Sequence, residues 1–224
     1  MGVAVKVQFY GQAGCGHCYA FMTGALKQVL AQPELASQID FDYSPFGNSY
    51  FVTSKCQGAG AYDIMPRKCF DSNCGLGTED RRPADCFTGE LVCQNGPREC
   101  EANRYVACAK KVVNADHTRY LPFAECVDAA FEGNPTANGV DVGALAAGCS
   151  QKAGLPHAAV QACFGGPDGN AAVQQEAMGT PPHGFCPVVK VDGEELQWGT
   201  EGNLQEVVCG KISPRPAACS PLVA

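Results

Sequence analysis

Three features of the sequence predict an α/β fold with long insertions. Apolar residues alternate at Val3, Val5, Val7 and Phe9, the period of a strand. A Cys15-Gly16-His17-Cys18 motif then follows a glycine-bearing turn. It heads a segment whose apolar residues Met22, Ala25, Leu26, Val29 and Leu30 recur at helical spacing, and Pro33 limits that helix. Alternation returns in Ile39-Asp40-Phe41-Asp42-Tyr43, a second strand. The order strand, CxxC, helix, strand opens a thioredoxin-like fold.

The end of the chain closes the same pattern. Val188, Val189 and Val191 and the segment 195–198 flank Asp192-Gly193, a two-residue hairpin signal. Leu204, Val207 and Val208 mark a last helix, stopped by Gly210. Trp198 reads as core or hairpin packing. Between the two halves lie two insertions. Residues 53–91 are rich in Gly, Pro and Asp and carry Cys56, Cys69, Cys74 and Cys86, which reads as a disulfide-stapled loop with little to form a core unaided. Helical faces follow: Tyr105, Cys108, Ala109, Val112 and Val113; then Tyr120, Phe123, Ala124, Val127 and Phe131; then Val142, Leu145, Ala146 and Cys149. A further helix is expected from Pro156 to Gly165-Gly166. The chain therefore divides into a first core part (1–52), a cysteine-rich loop insertion (53–92), a helical insertion (93–180) and a second core part (181–224).

Composition bounds the function. With 46% apolar and 17% charged residues the chain is globular, and 224 residues suffice for a proper core. A formal charge of -7 argues against nucleic acid or anionic membrane as main partner, and no apolar run reaches membrane-spanning length. The 15 cysteines point to an oxidising compartment: secretory pathway, lysosome or exterior. The amino terminus has neither charged region nor long apolar run, so it reads as a mature fragment without signal peptide. No Asn-x-Ser/Thr acceptor occurs.

A CxxC pair at a helix start has a definite chemistry. The first sulfur lies beside unpaired backbone N–H groups and the positive helix end, which favour its thiolate. It attacks a substrate disulfide, and the second cysteine, one turn on, resolves the mixed disulfide. Cys15 is thus the expected nucleophile and Cys18 the resolving thiol. A thiol of pKa ~8.5 is only about 0.03% thiolate at pH ~5. Acidic operation therefore needs about 4 to 5 kcal/mol of thiolate stabilisation, against ~0.3 to 2 kcal/mol from a helix end. His17 is the local candidate for the remainder, since an imidazolium stabilises an adjacent anion. The same Gly-His dipeptide occurs in protein disulfide isomerase, whose potential of about −180 mV is relatively oxidising. The motif also reads as a structural disulfide or half a zinc site: the strand before it and the amphipathic helix after it favour the redox reading over the first, and with no second CxxC or matching His pair no metal ligand set is assigned.

The segment Cys93-Gln94-Asn95-Gly96-Pro97-Arg98-Glu99-Cys100-Glu101-Ala102-Asn103-Arg104-Tyr105-Val106-Ala107-Cys108 resembles the signature of gamma-interferon-inducible lysosomal thiol reductases, CQHG-x2-EC-x2-N-x4-C. Asn95 stands in place of the family histidine. The likeness continues through Ser44-Pro45-Phe46-Gly47-Asn48, Pro181-Pro182-His183 and Pro187-Val188-Val189-Lys190-Val191-Asp192-Gly193. It implies reduction of protein disulfides at acidic pH, in a lysosomal or secreted setting, without a bound cofactor and with external small thiols as electron donors. It carries the catalytic pair onto Cys15 and Cys18, and the signature itself reads as disulfide and helix architecture. Missing glycosylation acceptors leave mannose-phosphate sorting without support. An oxidase or isomerase, and a non-catalytic disulfide-stapled binding protein, are the alternatives.

In thioredoxin folds a cis-proline lies beside the CxxC, its preceding backbone pairing with substrate. Pro187 is in the right place, although it also reads as an ordinary strand-start proline. Cys93, Cys100, Cys108, Cys126, Cys149, Cys163, Cys209 and Cys219 look like the family framework and would make four bridges. The four cysteines of the loop insertion would make two, leaving Cys186 odd: either a third thiol at the active site or one end of a structural bridge. Individual pairings are not readable from sequence. His117 and His157 read as surface or cap residues, His183 as a loop cap near Pro187, and Glu79-Asp80-Arg81-Arg82 as a solvated loop.

Overall fold

In a computed structural model, residues 4–57, 64–197 and 199–220 are described. Val3 and Trp198, both assigned to strands above, lie outside them. β1 (Val5–Gly11) buries Val5, Val7 and Phe9 and exposes Lys6 between them, as alternation requires. The helix after the motif begins with α1 (Gly16–Phe21), passes through a π-helical turn (Met22–Leu26) and ends as α2 (Lys27–Leu30). Pro33 does not merely stop it. It occupies the first turn of a separate short helix, α3 (Pro33–Ala36), where its missing N–H costs nothing. β2 (Ile39–Pro45) then lies parallel to β1 in the register Val5 to Ile39 through Gly11 to Pro45.

Beyond the insertions, β5 (Val188–Val191) pairs antiparallel with β1, and β6 (Glu194–Glu195) pairs with β5, once β3 (Tyr50–Phe51) and β4 (Leu91–Val92) are counted. The four-stranded order is β2-β1-β5-β6, the mixed sheet of a thioredoxin-like core, while β3 and β4 form their own ribbon. Asp192 and Gly193 both have positive φ (51° and 83°), the geometry that a type I′ hairpin turn demands. Phe9 stacks on Tyr43 at 4.6 Å and tilts against Phe21 at 5.0 Å, tying sheet to helix. Each such fully buried ring contributes about 1.5–3 kcal/mol.

The insertions depart from the sequence reading in two places. Residues 53–92 contain a helix, α4 (Ile64–Cys74), bounded by the bridges Cys56–Cys69 and Cys74–Cys86. Its Phe70 joins Phe46, Phe51 and Phe87 in a second apolar cluster with ring centroids 5.9–6.1 Å apart. The segment therefore has a core, borrowed in part from β3 and its approach. Nor is its charged run only solvated: Arg82 lies over the Phe87 ring at 5.0 Å and donates to the Gly75 carbonyl.

The helical insertion holds α5 (Pro97–Val112), α6 (His117–Ala129), α7 (Val142–Lys152), α8 (His157–Gly165) and α9 (Pro167–Gly179). The last of these has no counterpart in the sequence reading. Its buried apolar residues are small (Ala172, Val173, Ala177), and its glycines mask the period. Gly169 is there for proximity: a Cβ would stand 2.4 Å from Arg104 Nε and 2.7 Å from the Cys163 carbonyl. Lys110 of α5 ties the layer to the sheet, its Nζ 2.7 Å from Asp42 and 3.0 Å from Glu176. α10 (Leu204–Lys211) closes the core, running one residue past Gly210. No helix among the described residues is long and apolar enough to cross a membrane.

Candidate active site

Cys15 is the N-cap of α1. Its extended backbone (φ −90°, ψ 106°) aims Sγ back over the first turn, where it accepts the Cys18 N–H at 3.2 Å. The loop that delivers it is clamped from below. Gly14 needs its positive φ of 77°, and a Cβ there would meet the Pro135 carbonyl at 2.7 Å and Asn95 Nδ2 at 3.1 Å. The Ala13 N–H donates to Asn103 Oδ1 at 2.8 Å, and Gln12 Nε2 donates to Gln94 Oε1 at 2.9 Å. Gln94, Asn95 and Asn103 all belong to the segment read above as disulfide and helix architecture. It does more than that: the segment holds the backbone from which the Cys15 sulfur hangs.

Three sulfurs converge here. Cys15 is half-buried and Cys18 and Cys186 are buried, all three as free thiols. Their Sγ atoms lie within 4.8 Å of one another, Cys18 and Cys186 at 3.2 Å. The Cys186–Pro187 peptide bond is cis, and the Cys186 carbonyl lies 3.6 Å from Cys15 Sγ. A trithiol set of this size could also hold a thiophilic ion such as Zn²⁺ or Cu(I).

The environment separates the three. Hydrogen bonds from the Cys18 side chain first, then from Cys186 and from the backbone N–H groups of Cys18 and His17, bring Cys15 down to about 3 against the opposing effect of burial. Burial above all drives Cys18 and Cys186 well above the usual thiol range. The stabilisation that a helix end alone could not supply thus comes from neighbouring thiols and amides. His17 contributes through its backbone N–H. Its imidazole is exposed, beside a groove of about 300 Å³ shared with Pro187.

Two buried carboxyls complete the site. Glu99 is 0% exposed, accepts the Asn95 N–H at 2.7 Å, and is pushed up to about 8, chiefly by burial. Asp128 of α6 lines the same cavity as Cys15, and neither of its buried oxygens has a hydrogen-bond partner among the described residues. Burial, then the Cys15 charge, raises it far above a normal carboxyl. Glu99 was visible in the sequence as part of the Cys93–Cys100 segment, but a lone Asp on an apolar helix face gave no signal for Asp128.

The twelve remaining cysteines pair as Cys56–Cys69, Cys74–Cys86, Cys93–Cys100, Cys108–Cys163, Cys126–Cys149 and Cys209–Cys219. His117 and His157 are the first residues of α6 and α8, and His117 meets Phe41 edge-on. The ring nitrogens of His183 lie 2.7 Å from the Pro181 carbonyl and 3.1 Å from Asn48 Oδ1, and burial lowers it to about 4.

Residues 74–153 match the model of the family described as gamma interferon inducible lysosomal thiol reductase (GILT). The matched stretch includes the Cys93–Cys108 signature and both buried carboxyls. No curated protein matches the chain. Among solved structures it is similar to the reduced form of the disulfide bond oxidoreductase DsbG from Mycobacterium tuberculosis (15% identity, 98% of this chain and 85% of that one, TM-score 0.53). It is also similar to the oxidised DsbA of the same organism (16%, 96% and 86%, 0.52) and to MdbA, a thiol-disulfide oxidoreductase from Corynebacterium diphtheriae (13%, 92% and 83%, 0.50). These likenesses establish the thioredoxin-like fold. With the GILT match they support thiol–disulfide oxidoreductase chemistry in general for this chain.

Proposed function

We propose that this protein reduces disulfide bonds of protein substrates at acidic pH. Cys15 thiolate attacks one substrate sulfur, the substrate disulfide breaks, and its other half leaves as a thiol. Cys18 gives up its proton and attacks Cys15 Sγ, so the reduced substrate departs and Cys15–Cys18 is oxidised. Small thiols in the surroundings return the two electrons. The compartment is lysosomal or extracellular, in keeping with six bridged pairs.

The observation that carries this reading is the Cys15 sulfur at the helix cap, accepting the Cys18 N–H at 3.2 Å with the buried free thiol of Cys18 directly behind it; donors so placed lower Cys15 far enough to favour its thiolate at pH 5. Reduction of insulin at pH 5 tests it. Turnover in the parent chain that disappears in a folded Cys15→Ser variant is the expected result; equal turnover in both rejects the nucleophile. The same low value favours a second reading. A stabilised thiolate stabilises the reduced enzyme, and DsbA, a strong oxidant at about −120 mV, works that way. A potential near that figure makes the chain an oxidase; one nearer thioredoxin's, about −270 mV, makes it a reductase.

A further inference from the structure

Cys186 forms no bond in the two-cysteine cycle, yet its sulfur stands 3.2 Å from Cys18 Sγ, within reach of bond formation. We propose that Cys18 is a shared sulfur: after turnover the disulfide passes inward from Cys15–Cys18 to Cys18–Cys186, and Cys15 is set free at the surface as a thiolate. This rests on Cys15 and Cys18 being the redox pair.

The step balances without any added oxidant. Cys186 loses its proton to water and attacks Cys18 Sγ; the Cys15–Cys18 bond breaks, the Cys18–Cys186 bond forms, and Cys15 leaves with the electron pair. Exchange favours expulsion of the sulfur that best bears negative charge. Of the three that sulfur is Cys15, half-buried at the helix cap where the Cys18 backbone N–H still donates to it at 3.2 Å, while Cys18 is 0% and Cys186 7% exposed. Attack by Cys186 on Cys15 instead would expel Cys18 into a buried site where its charge is opposed. Direction therefore follows from placement: one sulfur at the rim where an anion is welcome, two beneath it where a neutral disulfide is.

The product is an oxidised enzyme with a reactive surface thiolate. It can still join a substrate sulfur, but Cys18 is no longer free to resolve the adduct, so release waits on external thiol or on the reverse exchange. The third cysteine would thus switch the enzyme from a reducing to a capturing form as the surrounding thiol pool runs low.

Peptide mapping of the full chain decides this. The protein is oxidised with glutathione disulfide, treated with iodoacetamide at pH 5 while folded, and digested without reduction. The expected products are a Cys18–Cys186 linked peptide and carboxamidomethyl Cys15. A folded, oxidised Cys186→Ser variant should lose that folded-state labelling entirely, because Cys15–Cys18, the one disulfide its two remaining site thiols can form, ties Cys15 up. A Cys15–Cys18 linked peptide with Cys186 labelled only after denaturation overturns the exchange. That result leaves the reductase reading standing, since the reading falls only if Cys15→Ser retains insulin reduction.

Discussion

Twelve cysteines of this chain are locked in pairs and three are not, and the two groups occupy different kinds of place. The bridged ones stand on facing helices and loops of the insertions and the carboxy-terminal segment, with Cα atoms 5.4–5.7 Å apart and nothing polar required of them. The free ones meet where β1 ends, α1 begins and β5 starts, around backbone amides that reward a negative sulfur. One residue type thus serves as staple or, in the function proposed above, as reagent according to whether its neighbour is another sulfur in bonding geometry or a hydrogen-bond donor. The insertions also do the core a service: α5 and α6 supply Asn103, Glu99 and Asp128 to the loop and cavity around the reagent sulfur.

The sharpest way to break this contrast is to remove the reagent. Cys15→Ser should lower the rate of insulin reduction at pH 5 by at least about a thousandfold, as deletion of a nucleophile does elsewhere, with thermal stability little changed. Removing a staple should do the reverse. Replacing Cys108 and Cys163 by Ser opens a span of 55 residues and should cost about 4 kcal/mol, against about 3 kcal/mol for the 12-residue span of Cys74 and Cys86. Denaturant titration of the two double variants measures the difference; the reverse order would show that loop length does not govern these bridges.

The service of the insertion to the core can be tested next. Asn103→Ala strands the buried Ala13 N–H and should cost about 1–3 kcal/mol. It should also slow alkylation of Cys15, whereas a purely architectural Asn103 would leave that rate alone. A smaller effect concerns His183, held near 4 where the unfolded chain has an ordinary histidine at 6.5. Between those values the unfolded state binds the proton and the folded state does not, so this residue's contribution is present above 6.5 and is lost as pH falls towards 4. His183→Asn should flatten the loss of stability across that window, followed by urea midpoints at several pH values. The smallest expected change is in His17→Ala: the pH midpoint of Cys15 alkylation should stay near 3, because amides and thiols set it. A large rise would restore the imidazole as the source.

Much of the core was legible because its signals are local. Alternation at Val5, Val7 and Phe9 specifies a strand wherever the chain goes, and Asp192-Gly193 specifies a turn by its own φ preferences. α4 and α9 escaped because their apolar faces rest on Phe46, Phe51 and Ala107, residues far off in sequence that no window contains. The Cys15–Cys18 motif was legible for the same local reason, and its helix follows it directly. Asp128 was not, since its nearness to Cys15 depends on how α6 packs against α1.

The sequence by itself determined a strand–CxxC–helix opening, a hairpin close, a cysteine excess suited to an oxidising place, and the cysteine pair on which the proposed chemistry rests. Those are properties of neighbours along the chain. Only the tertiary structure decided which cysteines bond, that Cys186 comes to lie against Cys18, and what lowers Cys15. Charge stabilisation on a sulfur depends on donors and burial within a few ångströms, and residues 15, 18 and 186 become neighbours only when β5 is laid beside β1.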